Sequence, residues 1–148
     1  MQNYHHILVA LDYSENRRLL IERSKHLAVS FQAKLSVIHI LDNIPMPQVQ
    51  YGSVIPLSHD LESDNSPLEH EKNKLTELAK ELDIAVENCW LVWGVPSREI
   101  PEFAQEVNAD LIIVGSHGRH GLALLLGSTA NGVLHHAHCD VLSIRLPD

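Results

Sequence analysis

Basic residues are scarce in this chain: eleven Lys and Arg stand against nineteen Asp and Glu, a formal net charge of −8. That balance argues against a nucleic-acid surface or an anionic membrane surface, because phosphate contact over a broad face needs clustered cations. It leaves room for a nucleotide held by backbone amides. Cysteine is nearly absent too, with Cys89 and Cys139 fifty positions apart and no CxxC spacing. A disulfide framework, a zinc ribbon and a redox pair are thereby disfavoured, and both thiols read as small buried hydrophobes. No apolar run approaches the roughly 18 residues of a membrane-spanning helix. The opening MQNYHHILVALDYS shows no basic region followed by a long apolar run, so the expected location is the cytoplasm.

What is present is ordinary globular material, 45% hydrophobic and 20% charged over 148 residues. That length supports one core, and residues 1–148 are read as a single domain. HILVALD, residues 6–12, is an apolar, branched run ending on an acid, as in a strand buried on both faces. After it Ser14 can cap a helix whose Leu20, Ser24, Leu27, Ala28 and Phe31 share one face. KLSVIHIL, residues 34–41, reads as a second central strand. Its His39 is expected as a hydrogen-bonded core histidine.

Residues 42–65 carry Pro45, Pro47, Gly52 and Pro56 without sustained periodicity, and read as a long connector. Ser66, Pro67 and Glu69 form a capping box, and Leu68, Leu75, Leu78, Ala79 and Leu82 mark the inner face of the helix that follows. Glu71, Lys72, Lys74, Glu77 and Lys80 are expected on its solvated face. VENCWLV, residues 86–92, suggests a strand, with Trp90 and Trp93 in core or edge positions. Gly94 and Pro96 then break the chain before a helix capped at Ser97, with Ile100, Phe103, Ala104 and Val107 inward and Pro101 in the first turn. ADLIIVG, residues 109–115, reads as a buried strand, 128–138 as a helix with Ala130, Val133, Leu134 and Ala137 inward, and CDVLSIRL as a closing edge strand. The alternation βαβαβαβαβ predicts a doubly wound, mostly parallel five-stranded sheet with helices on both faces.

Chemistry concentrates in VGSHGRHGLALLLGST, where Gly115, Gly118, Gly121 and Gly127 lie between a buried strand and a helix starting at Ser128. Glycines let backbone N–H groups approach an anion, and the free amides and positive dipole of a helix start favour phosphate. The ordinary alternative is a turn that is glycine-rich only in order to be tight. Position at the carboxyl end of a parallel strand favours the ligand reading. Ser128 or Thr129 can add a hydroxyl. His117 is placed to donate to phosphate, or to bond backbone or water as loop histidines do. Arg119 can pair a phosphate with its guanidinium fork, or simply face solvent. Neither the dinucleotide G-x-G-x-x-G nor the P-loop with its Lys is present. His135, His136 and His138 suit the negative end of a helix better than a metal.

These residues resemble the universal stress proteins, small α/β domains many of whose members bind ATP. The likeness extends over the whole chain. The family's ATP-binding branch carries Gly, two residues, Gly, nine residues, Gly and then Ser or Thr; here Gly115, Gly118, Gly127 and Ser128 match, with eight residues, 119–126, in the longer gap. The resemblance implies an adenine nucleotide alpha hydrolase-like fold. It also implies an adenosine site at Ala10, Leu11, Asp12 and Ile40, where Asp12 matches the family's acid and Ile40 the apolar side chain that meets adenine. Val114, Gly115, His117, Gly118, Arg119, Gly127, Ser128 and Thr129 would then surround the phosphates. ATP, with Mg2+ carried by the phosphates and no protein-bound metal, is the implied cofactor, and a homodimer through strand 141–146 the implied assembly. Two alternatives stay open: an interaction module of the same family without nucleotide, as the eight-residue gap permits, and a slow ATP hydrolase.

Overall fold

The computed structural model describes residues 3–11, 17–41, 54–58, 67–117 and 128–146. In chain order its elements are β1 (His6–Leu11), α1 (Arg17–Phe31), β2 (Lys34–Leu41), β3 (Val54–Pro56), α2 (Pro67–Glu81), β4 (Cys89–Trp93), α3 (Pro96–Glu106), β5 (Leu111–His117), α4 (Ser128–His136) and β6 (Asp140–Leu146). They form one sheet in the order β3-β4-β2-β1-β5-β6. β1 pairs in parallel with β2, from His6 opposite Lys34 to Leu11 opposite His39, and with β5, from Ile7 opposite Leu111.

Because β1 has a neighbour on each edge, side-chain burial alone decides its composition. Ile7, Leu8 and Val9 are fully buried. Each such side chain contributes about 1.5–3 kcal/mol over leaving it in water. Alternation sends them to two layers. Ile7, Val9 and Leu11 pack with Leu20 and Ile21 of α1 and Leu68 and Leu75 of α2. Leu8 and Ala10 pack with Ile100 and Phe103 of α3 and Val133 of α4. Helices therefore cover both faces.

Three helices stop in the same way. Gln32 directly after α1, and Asp83 and Asn108 in the turns that end α2 and α3, take φ of 55, 56 and 59°. The next amide in each case reaches back five residues, Ala33 to Ala28 O at 2.8 Å, Ile84 to Ala79 O at 2.8 Å and Ala109 to Ala104 O at 2.9 Å. This left-handed C-terminal turn satisfies carbonyls the helix leaves open and redirects the chain. Asp110 then fixes the amino edge of the sheet, accepting the amide N–H of His5 at 2.9 Å and of His6 at 3.0 Å.

The structure departs from the sequence expectations in several places. A sixth strand, β3, lies inside the expected connector and pairs antiparallel with β4, Val54 opposite Val92 and Pro56 opposite Trp90. It is three residues long and ends in a proline on the outer edge, where a missing N–H is tolerated. No periodicity can show over three residues. Val86–Asn88 is a 3-10 turn, not strand, so β4 begins at Cys89. α3 begins at Pro96 with Val95 as its cap residue, not at Ser97. Proline suits the first helical position. The Glu99 carboxylate accepts the Val95 N–H in place of a side-chain cap. Pro101 consequently falls in the helix interior and removes one amide donor from the ladder.

Leu134 points out at 45% exposed, and Glu71, expected in water, is buried. Ile21 is a buried α1 residue that the expected stripe omitted. The two cysteines are free. Burial pushes the Cys89 thiol up to about 12, so it stays protonated and inert. The cap at Ser14 and residue Ser66 lie outside the described residues.

His6 ties three elements at the amino edge. Its Nδ1 lies 2.9 Å from Val107 O and its Nε2 2.7 Å from Ser36 Oγ. A carbonyl only accepts, so Nδ1 carries the hydrogen and Nε2 receives the Ser36 hydroxyl proton. Ser36 is fully buried. Protonating Nε2 would leave that hydroxyl hydrogen without its acceptor. Burial holds the His6 pKa below its ordinary value, and Lys34 adds to this while the Val107 carbonyl and Asp110 oppose it. The unfolded chain, titrating near ~6.5, then binds the proton more readily than the folded one. This contribution to stability is complete above about pH 6.5 and is lost as pH falls from there through the folded value. Thermal melts between pH 7.5 and 5.5 should show a steeper acid loss in the parent than in His6→Gln, which should itself be about 1 kcal/mol less stable at pH 7.5. Parallel curves would contradict the assignment.

Candidate functional site

The chain runs from β1 outward to β2 and β4, then returns across β1 to β5 and β6. Strand order reverses between β1 and β5, and open parallel sheets bind ligands at such a point, outside the carboxyl ends of the strands. Ala10 and Leu11 end β1, Ile40 is next to last in β2, and Val114 to His117 end β5. Ala10, Ile40 and Val114 lie in one apolar layer, all at most 6% exposed. Leu11 belongs to the opposite layer. Three of the four residues thus share the wall below α3 and α4.

Ser128 and Thr129 are the first two residues of α4. Because α4 follows β5, its amino end rises on the carboxyl side of the sheet, and first-turn amides there lack helical acceptors. Asp12, Gly118, Arg119 and Gly127 lie outside the described residues. β5 extends two residues beyond expectation, through Ser116 and His117, and Gly115 lies within it as in the expected strand. Its role there is space: a Cβ at Gly115 would come 2.6 Å from Leu146 Cδ1.

The position of α4 is set by α3. A Cβ on Gly132 would lie 2.3 Å from Ser97 Cβ and 3.4 Å from Ser97 Cα, so the two helices cross at a spacing only glycine permits. Val133, fully buried beside it, anchors α4 in the apolar layer. The preceding turn is equally constrained. Gly94, at φ 153°, donates its N–H to Leu41 O at 3.3 Å and leaves room for the Glu99 carboxyl. Burial, with Glu102 nearby, raises the Glu99 pKa despite the opposing Arg98 and Val95 N–H. The ends of β2 and β4 and the start of α3 are locked together beside Ile40.

On the other face a buried polar cluster escaped the sequence reading. Glu71 Oε2 lies 3.6 Å from His39 Nε2 and 3.7 Å from Arg17 Nη1. His39 is 1% and Glu71 8% exposed. The signal was available: Glu71 is three residues after Leu68 and four before Leu75, on the apolar stripe itself. His39 likewise alternates with Val37 and Leu41 toward α1 and α2. Near α4's end, His136 Nδ1 bonds Gly132 O at 2.8 Å. Among the described residues no three His, Cys, Asp or Glu side chains are grouped to hold a metal ion, and no helix is long and apolar enough to cross a membrane.

The model of the universal stress protein family matches residues 3–145. This chain belongs to that family. Universal stress protein A homolog 2 of Coxiella burnetii is 40% identical over 147 residues, covering 99% of this chain and 98% of the relative. Among solved structures, protein MJ0577 superposes with a TM-score of 0.69 at 25% identity, covering 98% of both chains. A universal stress protein in complex with cAMP superposes at 0.65 and 23% identity, covering 97% of this chain and 98% of its own. The mostly parallel sheet with two helical layers is the fold of these neighbours.

Proposed function

We propose that this universal stress protein binds an adenine nucleotide, ATP with Mg2+ carried on its phosphates, at the carboxyl ends of β1, β2 and β5, and acts as a dimeric regulatory module. The observation that carries this reading is the start of α4 at the strand-order reversal. Free amides and the positive end of the helix dipole meet there, directly after a run containing Gly118 and Gly127. Ser128 and Thr129 supply hydroxyls and further amides, with His117 and Arg119 as additional donors toward the phosphates. Ala10, Leu11, Asp12 and Ile40 form the adenosine side, with Val114 and Gly115 between. A small residue at Ala10 and an apolar one at Ile40 suit a flat purine. That a fold neighbour is a cAMP complex supports an adenine ligand in this architecture. Small molecules released from protein purified without added nucleotide should include an adenine nucleotide by mass spectrometry, and Gly118→Val with Gly127→Val should abolish it. No nucleotide in the parent, and no binding when millimolar MgATP is added, would reject the reading.

A second reading, an interaction module without nucleotide, draws on the eight-residue gap between Gly118 and Gly127. Both readings share the dimer. β6 is an edge strand whose outward Leu142 is 37% exposed, and edge strands of this kind are commonly paired or protected. Light scattering should give twice the chain mass for the parent and the monomer mass for Leu142→Lys. A parent of monomer mass, or a variant that keeps the dimer, would exclude pairing through this strand.

A further inference from the structure

Between α3 and the end of α4 lies a cleft of about 430 Å³, lined by Arg98, Pro101 and Glu102 on one side and by His136 and His138 on the other. His136 stands at the far end of α4 from Ser128, about 12 Å along the helix, so the cleft is separate from the proposed phosphate site. We propose that His136 and His138, joined by Glu102 from across the cleft, bind a divalent transition-metal ion of the zinc type and so tie the end of α4 to α3.

The orientation of His136 carries the argument. Its Nδ1 lies 2.8 Å from Gly132 O. A carbonyl only accepts, so Nδ1 carries the hydrogen and the lone pair of the neutral ring is at Nε2. Imidazoles that ligate metals are held in this way, one nitrogen donating to a carbonyl or carboxylate and the other left for the ion. The supporting carbonyl is itself firmly placed, because Gly132 is the residue pressed against Ser97 where α4 meets α3. His138 is anchored on both sides. Ala137 donates its N–H to Val133 O at 2.8 Å, carrying the helical turn to the residue before it. The Tyr4 hydroxyl donates to Asp140 Oδ2 at 2.7 Å, fixing the start of β6 two residues after it. Both rings line the same cleft, and the negative end of the α4 dipole favours a cation beside them.

Glu102 supplies the third ligand by changing partner. Its Oε1 lies 3.6 Å from Arg98 Nε, so among the described residues three such side chains are not yet gathered. Both members of that pair are more than half exposed, and an exposed i,i+4 ion pair contributes little to stability. The carboxylate is therefore free to leave Arg98 for an ion already held by two imidazoles, whose double charge attracts it more strongly. Water takes the fourth position, as in other sites with three protein ligands. Two nitrogens and one oxygen select zinc and its neighbours over Mg2+ and Ca2+, which favour oxygen ligands.

The test is calorimetric titration of Zn2+ into the full chain, untagged and chelator-treated, at pH 7.5. The parent should bind one equivalent, with an affinity that excess Mg2+ leaves unchanged. His136→Gln and His138→Gln should each weaken that binding by at least about tenfold, the least that losing even a supporting partner of a ligand costs. Glu102→Gln should weaken it less. A parent without a one-equivalent site, or an affinity that survives both histidine changes, would overturn the proposal, and unchanged binding in Glu102→Gln would overturn the tie to α3. Both rings are exposed, so the variants should fold. If one does not, NMR of the parent decides: one equivalent of Zn2+ must move the ring signals of His136 and His138 together while those of His6 stay, and unmoved signals reject the site.

Discussion

The double pairing of β1 is the constraint on which the rest of the molecule depends. With β2 on one edge and β5 on the other, its backbone is satisfied within the sheet and its side chains have nowhere to go but into two apolar layers. Parallel neighbours cannot be joined by a tight hairpin, so each connection has to travel back over a face, and the helices that do so complete those layers. The same geometry brings the carboxyl ends of β1, β2 and β5 to one edge, and open parallel sheets bind ligands at such an edge where strand order reverses.

Polar residues inside this apolar frame stand where elements must be held in register. His6 joins β1 to β2 and to the end of α3 through two ring nitrogens. Glu99 holds the turn between β4 and α3 by accepting an amide and filling the space left by Gly94. Gly132 against Ser97 sets how closely α4 lies on α3. The Arg17–Glu71–His39 cluster does the corresponding work across the other face. Ser36, His39, Glu71 and Glu99 are buried polar groups, and losing the partner of such a group costs more than the interaction's net contribution.

Much of this was legible in the chain. β2 at Lys34–Leu41 and the start of α2 at Pro67 follow from an uninterrupted branched apolar run and from a proline at the first helical position. Family membership was legible in the glycine spacing and in the acid closing HILVALD. β3 was not, because a three-residue strand exists through its pairing with β4 and has no period of its own. The start of α3 was misplaced because Ser97 resembles a cap, whereas Pro96 and the back-reaching Glu99 decide the boundary. Glu71 was assigned to water by its charge, although its spacing from Leu68 and Leu75 placed it inside. In the site, Ala10, Ile40 and Val114 lie in one apolar layer with Leu11 in the other, and Gly115 is pressed against Leu146 within β5.

The central claim is that the crevice between β1 and β5 holds an adenine nucleotide with its phosphates at the start of α4. Backbone amide shifts of isotope-labelled protein, recorded with increasing MgATP, test it most directly. The account predicts saturable shifts concentrated at Ala10, Leu11, Ile40, Val114, Gly115, Ser128 and Thr129, with residues at the amino edge such as His5 and Asp110 unmoved. Shifts confined to other surfaces, or none at saturating nucleotide, would contradict it.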